Sequence, residues 1–133
     1  MVRVIFAAVV LSLTTGLAFA VKAPKLPVSA HKLTADEIRT LYDGIPYMFH
    51  NFVASKTGVT GSFLMDFTKK AASGTYVDGK NSGNWKGTIR IKGSQYCRKI
   101  EKHREGCVSV YTDGGKVYEV NGRGVVESLN SRQ

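Results

Sequence analysis

The chain has 133 residues, 43% of them hydrophobic and 22% charged, and 19 Lys and Arg against 10 Asp and Glu give a net charge of +9. That length leaves room for one domain with a single core and excludes a multidomain assembly. The charge favours solubility and attraction to polyanions, and with two cysteines in all it leaves little for a thiol-rich metal site.

Residues 1–20 carry one cation, Arg3, an apolar run from Val4 to Leu17 and then Ala18-Phe19-Ala20, the small-x-small pattern that precedes signal-peptide cleavage. The run is short and is broken by Ser12 and Thr14-Thr15-Gly16, so a cleaved leader is expected in place of a membrane span, which takes roughly 20 apolar residues. No cysteine lies near the cut, which leaves no attachment point for a lipid anchor. The expectation is therefore a periplasmic or secreted domain with no transmembrane segment after cleavage. Loss of Arg3 with the leader takes the net charge from +9 to +8. In such a compartment ATP and NAD are scarce and thiols pair, so Cys97 and Cys107 are expected to form a disulfide and no cofactor is expected.

Residues 21–32, VKAPKLPVSAHK, lack periodicity and read as a flexible linker into a single β-rich domain over 33–133. Leu33-Thr34-Ala35-Asp36-Glu37-Ile38 then supplies a helix start: Thr34 as N-cap, Glu37 completing the capping box, and Leu33 against Ile38 as a hydrophobic staple. Ile38, Leu41 and Tyr42 form the buried stripe, and Gly44 ends the helix. From Ile45 onward the pattern turns to short β-type runs separated by glycine. Strands are predicted near 46–53, 58–67, 72–78, 83–92, 94–101, 106–112, 116–121 and 124–129, joined by turns such as Asp78-Gly79, Gly93-Ser94, Asp113-Gly114 and Asn121-Gly122.

The predicted fold is thus mainly β (α+β): one short N-terminal helix packed on a six- to eight-stranded antiparallel meander, forming a small lipocalin-like barrel or a strongly curled sheet. A two-layer sheet with the helix on one face is the competing architecture. Alternation in the strand near 83–92 puts Trp85, Ile89 and Ile91 on the inner face and Lys86, Arg90 and Lys92 on the outer one.

The arrangement L-T-A-D-E-I-R-x-L-Y-D-G at 33–44, G-x-W at 83–85, Cys97, and G-C-V-S-V-Y-T-D-G-G-K-V-Y at 106–118 resembles a family of small secreted alphaproteobacterial proteins. The resemblance implies export, a helix followed by an antiparallel sheet, and a Trp and a cysteine pair at the core. It transfers no catalytic residue.

Chemistry-bearing motifs are sparse. His31, His50 and His103 fall in no metal-ligand spacing, so no metal site is expected. Asp43, Asp66, Asp78, Asp113 and Glu119 are not paired as acid catalysis of the glycosidase type requires, no G-x-S-x-G elbow is present, and no enzyme is expected. The strongest local signal is the run of bases Lys86, Arg90, Lys92, Arg98, Lys99, Lys102 and Arg104, with Glu101 the one acid set against them in that expectation. It points to an outward basic surface engaging an anionic polysaccharide, lipopolysaccharide or a protein partner, with peripheral membrane contact and no specific nucleic acid. The alternatives are a lipocalin-like carrier of a small apolar ligand and a secreted inhibitor or host-interaction factor inserting the tip 101–106. Large inward side chains such as Phe63, Phe67, Tyr76 and Trp85 predict a filled interior and argue against the carrier.

Overall fold

The computed structural model describes residues 21–133, so the leader expected at 1–20 lies outside the described residues. The chain runs β1 (His31–Lys32), α1 (Ala35–Tyr42), β2 (Tyr47–Asn51), β3 (Val59–Asp66), β4 (Ala71–Asp78), β5 (Asn81–Lys92), β6 (Gln95–Ile100), β7 (Gly106–Asp113), β8 (Lys116–Val120) and β9 (Val126–Arg132). Every strand expected from alternation and turn residues is present, and the helix begins where its cap is. Thr34 Oγ1 accepts the Glu37 N–H at 3.3 Å while the Glu37 carboxylate accepts the Thr34 N–H at 3.1 Å, the reciprocal pairing of a capping box. After Tyr42 the backbone opens at Asp43, and Gly44, at φ +67°, turns the chain so that its N–H reaches Met65 O. A residue with a Cβ adopts that angle at a steric cost.

Strands β2 to β9 form an eight-stranded closed antiparallel barrel. Neighbours follow chain order from β2 to β9, and β2 pairs with β9 to close the ring. Closure removes the exposed edges that a curled sheet would leave, which decides between the architectures left open by the sequence. The stretch 21–32, expected as a linker, is tied to this frame. β1 pairs with Tyr111 and Thr112 of β7, in line with β6, whose own pairing with β7 covers Gly106 to Ser109. Leu26 packs with Tyr111 and Leu129 against Tyr118, Val120 and Val126 on the outside of the barrel. A two-residue strand has no alternation to read, which is why the sequence shows no sign of β1.

Register sorts the faces. Pairing of Tyr47 with Phe63, Phe63 with Gly74 and Gly74 with Trp85 sets these residues in one inward-facing row. Gly61 and Gly74 sit where β3 and β4 come closest. A Cβ there would lie 2.0 Å from Thr75 O or 1.8 Å from Ser62 O, so either position admits only glycine. On the outer face Cys97 and Cys107 stand opposite each other on β6 and β7 and form the expected disulfide. α1 plugs one end: Ile38 and Tyr42 are fully buried, and the Tyr42 ring meets Tyr47, Phe63 and Tyr96 edge-on at 5.1, 5.3 and 5.8 Å between centroids.

Candidate functional site

Inside the barrel, beyond the plug, lies a cavity of about 530 Å³. Phe49, Phe63, Met65, Trp85, Ile89 and Ile100 supply its apolar wall, and Arg98, Glu119, Ser128 and Asn130 supply a polar floor. The mouth is set by Asn51, Ala54, Tyr76, Asn84, Glu101 and His103, at the end of the barrel away from α1. This size and this mix of apolar walls with a few convergent polar groups suit a small-molecule pocket.

The expectation of a filled interior is corrected here. Phe63, Tyr76 and Trp85 do face inward, but Ala72 and Gly87, opposite each other on β4 and β5, line the cavity with little or no side chain and leave space that the aromatic rings do not fill. Phe67 follows β3 and packs on the core at its edge, its N–H donating to Asp43 Oδ1 at 2.9 Å.

Glu119 is the centre of the floor. It stands on β8 opposite Val110 and Ser128, is 1% exposed, and both of its carboxylate oxygens accept hydrogen bonds. Oε2 accepts from Tyr42 Oη at 2.8 Å, from Asn130 Nδ2 at 3.0 Å and from Tyr96 Oη, and Oε1 accepts from Arg98 Nη1 at 2.6 Å. Four donors from the helix, β6 and β9 converge on the one Glu119 side chain. Asn130 also donates to Tyr42 Oη at 2.8 Å and accepts from Ser128 Oγ at 2.8 Å, so both its amide protons and its oxygen are engaged.

The electrostatics follow from burial. Tyr42 and Tyr96 are pushed well above the usual phenol value, first because both are buried and then because the Glu119 charge opposes a second anion. Burial works against the charge of Arg98, but the oxygens of Tyr96 and Glu119 outweigh it and hold the guanidinium above the ordinary arginine range. A second carboxylate, Glu127, lies 3.6 Å from Arg98 Nη2.

The basic residues predicted as one surface divide between two faces. Lys86, Arg90 and Lys92 lie on the outer face of β5, as the alternation required, and Lys99 lies on the outer face of β6 beside Thr88. Lys102 and Arg104 are exposed at the β6–β7 tip. Arg90 is paired with Glu105 by two hydrogen bonds of 2.9 and 2.5 Å. Arg98 does not belong to this surface. It shares the inward parity of Tyr96 and Ile100, because Ile89, opposite it on β5, faces in. The disulfide and Glu105 form the one cluster of metal-ligand types among the described residues, and its two sulfurs are bonded to each other, so neither is a thiolate.

Comparison with protein-family models, curated proteins and solved structures finds no match. The site therefore stands on its own chemistry. The inward Phe63, Tyr76, Trp85 and Ile89 were legible in the sequence as core side chains, whereas of the polar floor only Arg98 and Glu119 stood out, and each in another role. The signal for Glu119 is local: Val117-Tyr118-Glu119-Val120 is apolar on both sides of a strand that packs on both faces, and an acid within such a run is a buried acid. No helix among the described residues is long and apolar enough to cross a membrane.

Proposed function

We propose that the protein is a non-enzymatic binding protein of an exported, oxidising compartment that carries a small, largely apolar molecule inside its barrel. The observation that carries this reading is the cavity of about 530 Å³, walled by aromatic and aliphatic side chains and closed at one end by α1. Its apolar wall and the few polar groups of its floor suit retention of a ligand. None of the carboxylates at its floor pairs with a second acid across a gap in which a substrate bond could sit. The cross-strand disulfide supports an exported address.

The test uses N-phenyl-1-naphthylamine, a neutral apolar dye that brightens when buried. Trp85, the one tryptophan, lines the cavity and serves as energy donor. Saturable, one-to-one brightening with transfer from Trp85 is expected, and Val59→Phe, which narrows the cavity at an inward position, should abolish it while leaving the fold intact. No saturable signal would reject the carrier reading.

A second reading is supported by the outer face. Lys86, Lys92 and Lys99 are exposed on neighbouring strands, and Lys102 and Arg104 continue the charge at the tip, a surface suited to an anionic envelope or host component. Heparin retention that falls with salt, and falls again on reversal of Lys86, Lys92 and Lys99, is the expected result. Equal retention of wild type and variant rejects it.

A further inference from the structure

Resting on the carrier reading, we propose that the cavity selects a ligand whose polar head is an uncharged hydrogen-bond acceptor, a carbonyl-type oxygen on an apolar or aromatic body, and discriminates against a carboxylate head. The inventory of donors and acceptors on the floor leads there. Glu119 has both oxygens engaged, and Asn130 has spent its amide protons on Tyr42 and Glu119 and its oxygen on Ser128. Arg98, by contrast, makes its hydrogen bonds through Nη1 alone among the described residues. Its Nε has no partner, and its Nη2 stands 3.6 Å from Glu127, beyond hydrogen-bond distance. Nearer the mouth, Asn51 accepts from the Val53 and Ala54 N–H groups with Oδ1, which leaves its amide protons to the cavity. At the floor the unspent groups are the Arg98 donors, so a ligand head that reaches it must bring the acceptor, while Tyr76 and Asn84 at the mouth can both donate and accept.

Donors alone would suit an anion equally well, and charge decides between the two. The one cation of the floor, Arg98, stands against two carboxylates, Glu119 beside it in the lining and Glu127, outside the lining, 3.6 Å from its Nη2, and Glu101 adds a third at the rim, where His103 and Tyr76 are the other titratable groups. The phenols of Tyr42 and Tyr96 add no positive charge. A carboxylate entering this space loses its hydration and meets a surplus of negative charge at low effective dielectric, whereas a neutral carbonyl meets the same N–H donors without that repulsion. The aromatic wall formed by Phe49, Phe63 and Trp85 then suits a planar apolar body.

Three naphthalenes of one shape separate the possibilities: 2-ethylnaphthalene with no acceptor, 2-acetylnaphthalene with a neutral one, and 2-naphthoate with a charged one. Each is titrated against the protein loaded with N-phenyl-1-naphthylamine, and displacement is read from the dye. The acetyl compound is expected to bind about tenfold tighter than the ethyl compound, the yield of one hydrogen bond to a charged donor, and at least about tenfold tighter than the naphthoate. Glu127→Gln, at a half-open position that tolerates the change, should tighten naphthoate several-fold and leave the acetyl compound unchanged. Naphthoate binding tightest, equal binding of ethyl and acetyl compounds, failure of all three to displace the dye, or a Glu127→Gln variant indifferent to charge would each overturn head selection with the carrier reading intact. Failure of the dye itself to bind removes the carrier reading, and this one with it.

Discussion

Replacing Glu119 by Ala tests the centre of the barrel most directly. The substitution leaves the Arg98 guanidinium without its 2.6 Å partner and strands the donors of Tyr42, Tyr96 and Asn130 in a space 1% open at the acid. Removing one member of a buried ion pair costs roughly 3–5 kcal/mol, and the stranded neutral donors add about 1 kcal/mol between them if they repair partly with one another. Set against a total stability of roughly 6–15 kcal/mol for a domain of this size, about 5 kcal/mol is a large share. With a urea slope of about 2 kcal/mol per molar, the midpoint should fall by about 2.5 M, read from the fluorescence of Trp85. The double variant Arg98→Met, Glu119→Leu removes both charges and fills the space with apolar atoms, so it should recover much of the loss. A midpoint shift under about 0.5 M for Glu119→Ala, or a double variant no better than the sum of its singles, would refute the assignment of Glu119 as the keystone of the floor.

Three further outcomes are expected. Tyr42 and Tyr96 have raised folded values, so their contribution is fully present below the ordinary phenol value of 10.0 and is lost as pH rises toward the folded values. Absorbance at 295 nm should show at least two of the six tyrosines un-ionised above that pH until the protein unfolds or urea is added, and a single reversible step for all six would contradict this. Replacing Cys97 and Cys107 by Ser opens a loop of sequence separation 10, for which chain entropy predicts a loss of about 2.5–3 kcal/mol in urea unfolding, with no change in dye binding because the link lies on the outer face. Thr34→Ala removes the acceptor for the Glu37 N–H and should cost about 1 kcal/mol, seen as a lower thermal midpoint, while Thr34→Ser should restore it.

The frame was legible because α1 and the barrel strands, unlike the two-residue β1, each announce themselves within about ten residues. Thr34 and Glu37 mark the helix start, alternation marks each long strand, and Gly79, Gly93 and Gly114 adopt the positive φ angles their turns require. The floor of the cavity was not legible, because it is assembled across the ring. Arg98 and Glu119 are 21 residues apart, Tyr42 and Glu119 77 apart, and Tyr42 and Asn130 88 apart. In the strand Gln95–Ile100, moreover, an apolar-to-basic reading puts Arg98 and Lys99 together on the surface, although successive residues point to opposite faces. Only the parity fixed by Ile89 across the ladder turns Arg98 inward. The empty volume was hidden for the same reason: only the register shows the small Ala72 and Gly87 facing the interior together, beside Trp85 and Phe63.

The seam between β2 and β9 has a consequence for how such a chain is made. Tyr47 and Arg132, paired across it, are 85 residues apart, so no partial length emerging from a ribosome or a translocation channel can complete the ring. Until β9 arrives, β2 and β8 remain open templates for a foreign strand, and any product truncated before Val126 keeps both. Quality control that trims such products needs no special signal, because an unfinished chain presents two raw edges and a finished one presents none at that seam.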